Sequence, residues 1–122
     1  MMIIAFDKTT PALLAGRKTV TRREWAPKHA ASFHAGELVQ AWNHSPRVNG
    51  AKRVGTIRLT AAPSRERSDI ILASDYEAEG FAYLDEQEMT LSDGVYPREL
   101  WDDWFTDPVM LWVVRFELVE VL

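Results

Sequence analysis

Residues 13–25 read LLAGRKTVTRREW, which sets a lysine and a threonine three apart among further basic residues. A threonine hydroxyl is a poor nucleophile at neutral pH, but an adjacent amine of lowered pKa can take its proton. Lysine becomes such an amine when it is desolvated or set beside other cations, and Arg17, Arg22 and Arg23 lie close to Lys18 in the chain. The acidic complement stands further on in ASDYEAEGF, at Glu77 and Glu79. Lys18 and Thr21, with one of these two glutamates, are the groups that could carry chemistry.

Such a pair depends on the elements around it. In a regular strand Thr19, Thr21 and Arg23 share one face, while Val20 and Arg22 share the other. A fully extended Lys18 would point away from Thr21. DKTTPALLAG predicts a short helix, capped by Thr9 or Thr10, with Pro11 in its first turn and Gly16 ending it in a left-handed turn. Lys18 then belongs to that turn rather than to the alternation, and can share a cleft with Thr21. Arg22, by the same alternation, points away. A plainer account also stands: basic residues after a helix C-terminus suit its dipole, and threonine is ordinary in strands.

Along the rest of the chain, residues 2–6, 19–25, 38–43 and 52–62 read as strands, with loops at 26–37 and 44–51. In KRVGTIRLTAA, Ile57 and Leu59 can face inward together, and Val54 joins them only across a bulge at Gly55. Ser74 can cap a short acidic helix ending at Gly80, and PRELWDDWF predicts a helix over 97–105. The segment from 82 to 97 has no clear period. The closing strand places Trp112, Val114, Phe116 and Leu118 on one face, and leaves the core near Glu120. It is nearly long enough to serve two neighbours. Short helices between five or six strands predict a mainly β, α+β single domain over residues 1–122. The expected architecture is a small curled or closed β barrel with helices at its ends.

Composition narrows the function. The 122 residues suffice for one core, and no run approaches a membrane helix. MMIIAF is too short, and lacks the basic flank, for a signal peptide. There is no cysteine, hence no disulfide, thiolate nucleophile or cysteine zinc site. His29, His34 and His44 have no ligand-type spacing, so no metal or cofactor is expected. A cytoplasmic domain, monomeric or weakly dimeric, is the simplest expectation. The net charge of −4 conceals a split: residues 1–60 carry ten Lys/Arg against three acids, and residues 61–122 carry four Arg against fifteen. Either the halves mix in space, or a basic concavity sits on an acidic body and suits a phosphate-bearing ligand. On that second reading Lys52 and Arg53 join Lys18, Arg22 and Arg23 as phosphate contacts, and Trp25 or Trp42 stacks a base. Trp101, Trp104 and Trp112 are assigned to the core.

LLAGRKTVTRREW, HAGELVQAW, VGTIRLT, EAEGF, LWDDWF and LWVVRFELV, in that order, resemble the ASCH domain family of the PUA-like β-barrel superfamily over nearly the whole chain. The most specific piece is Gly-x-Lys-x-x-x-x-Arg, at Gly16, Lys18 and Arg23. The resemblance implies a barrel around a polar cleft that meets RNA or a modified nucleoside. One branch of the family consists of small bacterial amidohydrolases that deacetylate N4-acetylcytidine. Carried across, their site is Lys18, Thr21 and Glu79, with Glu77 the competitor. Arg22 departs from that branch, which has an apolar residue there, as do the NHSPRVNGAKR loop and the WDDWF helix. Another branch cleaves single-stranded RNA with a divalent metal, for which Asp75, Glu77 and Glu79 are the available carboxylates. Three functional expectations follow from the resemblance. They are an amidohydrolase for a modified nucleoside or nucleotide, a non-catalytic module binding RNA or such a nucleotide, and a metal-dependent single-stranded ribonuclease.

Overall fold

The computed structural model describes residues 1–122. The first strand, β1 (Ile3–Ala5), leads through a 3-10 turn at Asp7–Thr9 into α1 (Thr10–Leu14). Pro11 sits in the first turn of α1, where its missing N–H costs nothing, and Gly16 follows at φ 75°. The Thr9 hydroxyl donates to the Phe6 carbonyl instead of capping α1. Next come β2 (Val20–Arg23), α2 (Pro27–Ala30), β3 (Leu38–Trp42), β4 (Arg53–Leu59) and β5 (Ser64–Arg67). Three helices follow: α3 (Asp75–Ala78), α4 (Phe81–Glu86) and α5 (Pro97–Thr106), and β6 (Met110–Val121) closes the chain. None of these helices is long and apolar enough to cross a membrane.

The strands make one curled sheet in the order β1-β3-β4-β6-β2, with β5 also paired to β6. It is a half-barrel rather than a closed one, since β1 and β2 end the path without pairing. β6 serves three neighbours. Its first half runs between β2 and β5, and its second half pairs with β4. Helices cover the outer side of that first half. Both faces of β6 are therefore buried there: Val114 and Phe116 enter the barrel core, and Leu111 joins Ile71, Phe81, Trp101 and Trp104 under the helices. The single buried face expected from alternation holds only further along, and Glu120 is exposed as expected.

Val54 reaches the core by a bulge. Ala41 pairs with Gly55 and Trp42 with Arg53, which leaves Val54 as the extra residue, packed with Ile57 and Leu59. Three segments differ from expectation. The 26–37 loop contains the single turn α2, started by Pro27. The stretch around 64–67 is a strand, although its four polar residues carry no apolar alternation. The unassigned region after Gly80 opens with α4. Ser74 precedes α3 but makes no side-chain cap.

Candidate functional site

The turn after α1 is fixed by three backbone hydrogen bonds. The N–H groups of Arg17 and Lys18 both donate to the Ala12 carbonyl, at 3.0 and 3.2 Å, and the Thr19 N–H donates to Ala78 on α3 at 2.7 Å. Lys18 thereby enters the interior before β2 begins its alternation. Gly80, at φ 87°, lets α4 start directly after α3, close against α1 and Lys18. A Cβ there would lie 2.7 Å from Ala12 Cβ and 3.3 Å from Lys18 Cβ. Only glycine fits both the torsion and the space.

Lys18 (2% exposed), Thr21 (4%) and Glu79 (3%) are buried together. They line a cavity of about 320 Å³ with Arg22, Arg23 and the apolar side chains of Phe6, Phe81, Leu91, Val95, Leu100 and Trp104. Lys18 Nζ donates to the Glu79 carbonyl at 2.7 Å and to Glu79 Oε1 at 3.2 Å. Glu79 Oε2 accepts from Arg22 NH1 at 2.7 Å. Thr21 Oγ1 accepts from Arg23 Nε at 3.1 Å, and Arg23 NH2 donates to the Ala5 carbonyl at 2.7 Å. Burial pushes the Lys18 amine below its ordinary value; Glu79 opposes this, and Arg23 and Arg22 reinforce it. No direct hydrogen bond joins Lys18 Nζ and Thr21 Oγ1: the amine donates to Glu79, and the hydroxyl oxygen accepts from Arg23.

Arg22 does not point away from the site. Alternation fixes the direction of its Cβ only, and the long side chain carries the guanidinium to Glu79, the carboxylate that Lys18 also uses. Two residues that sequence reasoning did not connect with it complete the arrangement. Asp75 accepts from Arg22 NH2, and Arg115 on β6 holds both Asp75 oxygens, at 3.1 and 2.8 Å. Burial works to raise the Asp75 carboxyl, and the hydrogen bonds from Arg115 and Arg22 more than offset it, holding it below the ordinary range. The four-residue spacing of Asp75 and Glu79 was visible as one helical turn, but nothing in the sequence paired it with Arg22.

The remaining candidates lie elsewhere. Glu77 sits on the surface, where it accepts from Arg17 at 2.8 Å. Trp25 spends its face on Phe33, stacked at 4.7 Å and 6°, and Trp42 donates its indole N–H to Gln40. Lys52 and Arg53 border a separate hollow with Thr10, Leu14 and Asn43. Trp104, assigned to the core, also forms part of the cavity wall. The charge halves mix in space: Lys18 and Arg22 meet Glu79, Arg17 meets Glu77 and Glu86, and Arg58 meets Glu117. Asp75, Glu77 and Glu79 do not form a divalent-cation site, since each carboxylate is turned to a different set of basic side chains.

No family model matches the chain, and no curated protein does. Among solved structures it is similar to the crystal structure of protein EF3133 from Enterococcus faecalis V583, of the family DUF984. The two share 19% identity over 95% of this chain and 72% of that one, with a TM-score of 0.55. At that identity the likeness shows the fold, a small curled β barrel with helices.

Proposed function

We propose that the cavity is a hydrolase site for a modified nucleoside, releasing an acyl group from an exocyclic amine as in N4-acetylcytidine, in a protein of the ASCH branch of the PUA-like superfamily. One observation carries this reading, the division of donors and acceptors between Lys18 and Thr21. A neutral lysine amine has two hydrogens and one lone pair. Both hydrogens have places on Glu79, at its carbonyl and Oε1, so the lone pair is left to accept. Thr21 Oγ1 takes a hydrogen bond from Arg23, so its own hydrogen is left to give. Burial and two neighbouring arginines favour the neutral amine that this requires.

The chemistry follows from that division. The Thr21 oxygen attacks the acyl carbonyl while its proton passes to Lys18 Nζ. Charge gathers on the carbonyl oxygen within the field of Arg22 and Arg23. Collapse breaks the C–N bond, and the proton on Lys18 goes to the leaving amine. Water then attacks the acyl-threonine, with Glu79 relaying the proton, and carboxylic acid departs. The apolar walls and a volume of about 320 Å³ suit a flat base.

Both arginines already have protein acceptors, which favours an uncharged ligand over a phosphate-bearing one. This weighs against the nucleotide- and RNA-binding alternative, as does the separation of Lys52, Arg53 and Trp42 from the cavity. The ribonuclease alternative needs a carboxylate cluster free of basic partners. Incubation of the purified protein with N4-acetylcytidine, followed by measurement of free cytidine, tests the proposal. No cytidine at high protein concentration would sink it.

A further inference from the structure

Behind Lys18 lies a row of alternating charge. It runs from Arg115, whose side chain is 44% exposed, through Asp75, Arg22 and Glu79 to Lys18. Asp75 opens α3 and Glu79 is its C-cap, one helical turn on, so both carboxylates face one guanidinium. Arg22 forks between them, with NH1 on Glu79 and NH2 on Asp75. Its side chain is only 2% exposed.

A buried glutamate facing a lysine alone would hold that lysine as an ammonium, because a close opposite charge favours the charged form. A permanently charged guanidinium on the same carboxylate changes the balance. The other charged groups around the amine are Arg23 on β2 and, across the cavity, Asp7 and Lys8 of the 3-10 turn. None of these reaches the free oxygen of Glu79 as Arg22 does. We propose that Arg22, held in place by Asp75 and Arg115, is a positioning residue that takes over the charge of Glu79 and so frees Lys18 to act as a base. The catalytic meaning of this row rests on the hydrolase reading, but the row itself can be measured without substrate.

The test is titration of the Lys18 ε-carbon by NMR in lysine-labelled protein, with amide spectra confirming the fold of each variant. Arg22→Gln removes the competing charge and raises the Lys18 pKa by about one unit or more. Arg22→Lys, which keeps the charge but loses the fork, gives a value between the wild type and Arg22→Gln. Asp75→Asn leaves Arg22 wholly to Glu79 and lowers the Lys18 value. Opposite shifts are the expected signature, since mere loosening would admit water and move both variants upward. Should Asp75→Asn not fold, Arg115→Gln and the double variant Arg115→Gln/Asp75→Asn take its place. The single change raises the Lys18 pKa, and the double change, which removes one charge of each sign, brings it back toward wild type. Shifts in one direction only, or a Lys18 value unmoved by Arg22→Gln, overturn the proposal. Cytidine release with an unmoved Lys18 overturns this inference alone. The stated shifts without any turnover count against the hydrolase reading and leave the charge row standing.

Discussion

Arg23 on β2 donates to the carbonyl of Ala5 on β1 at 2.7 Å, joining the two ends of an open sheet. The same guanidinium holds the Thr21 hydroxyl. One side chain thus ties the two ends of the half-barrel and sets the oxygen assigned as nucleophile. Arg23→Met breaks both contacts, and the expected loss is about 1–3 kcal/mol, read as a lower urea midpoint. Turnover falls as well, because the Thr21 oxygen loses its fixed place.

Gly80 and Gly16 separate torsion from space. Gly80→Ala meets Ala12 Cβ at 2.7 Å as well as an unfavourable torsion. It should cost about 2–4 kcal/mol and displace Glu79 beside it. Gly16→Ala meets nothing within 4 Å and carries the torsional cost alone, about 1 kcal/mol. Thermal or urea unfolding of the two variants checks the difference.

Asp75 predicts the form of the acid limb of stability. Its folded pKa is depressed, so its contribution is fully present above the ordinary aspartate value and is lost as pH falls through the folded value. Between about pH 5 and pH 2 the melting temperature of the wild type falls more steeply than that of Asp75→Asn. Equal slopes would show that Asp75 contributes nothing to acid unfolding.

The surface candidates predict the opposite of a site. Lys52→Gln with Arg53→Gln, and separately Trp42→Phe, leave cytidine release within about twofold of wild type, as expected for residues distant from the reacting atoms. A large fall in turnover in either variant would return the basic half of the chain to the binding site.

The placing of Lys18, Thr21 and Glu79 in one cavity was legible before the structure. The helix-ending Gly16 freed Lys18 from strand alternation, and α5 followed from the spacing of Leu100, Trp101, Trp104 and Phe105. A bulge or bend at Gly55 was the condition for Val54 to join Ile57 and Leu59, and a bulge lies beside that glycine. Arg22 was not legible, because a two-residue period fixes where a Cβ points and not where a six-bond side chain ends. β5 was missed since an edge strand reading SRER buries no apolar face. Lys52, Arg53 and Trp42 were drawn to the site by a charge split along the chain. In the fold the two halves pair at Arg17–Glu77 and Arg58–Glu117, while Lys52 and Arg53 border a hollow separate from the cavity.

The central claim is that the Thr21 oxygen does the chemistry, and Thr21→Val tests it most directly. Valine keeps the shape of the buried side chain and removes only the hydroxyl, at a stability cost of about 1–3 kcal/mol for the N–H of Arg23 left unpaired. The measurement is cytidine release from N4-acetylcytidine by wild type and variant at equal concentration, with the fold of each checked by circular dichroism. The account predicts release by the wild type, none above background by folded Thr21→Val, and recovery of part of the rate in Thr21→Ser. Release by Thr21→Val at the wild-type rate would contradict it.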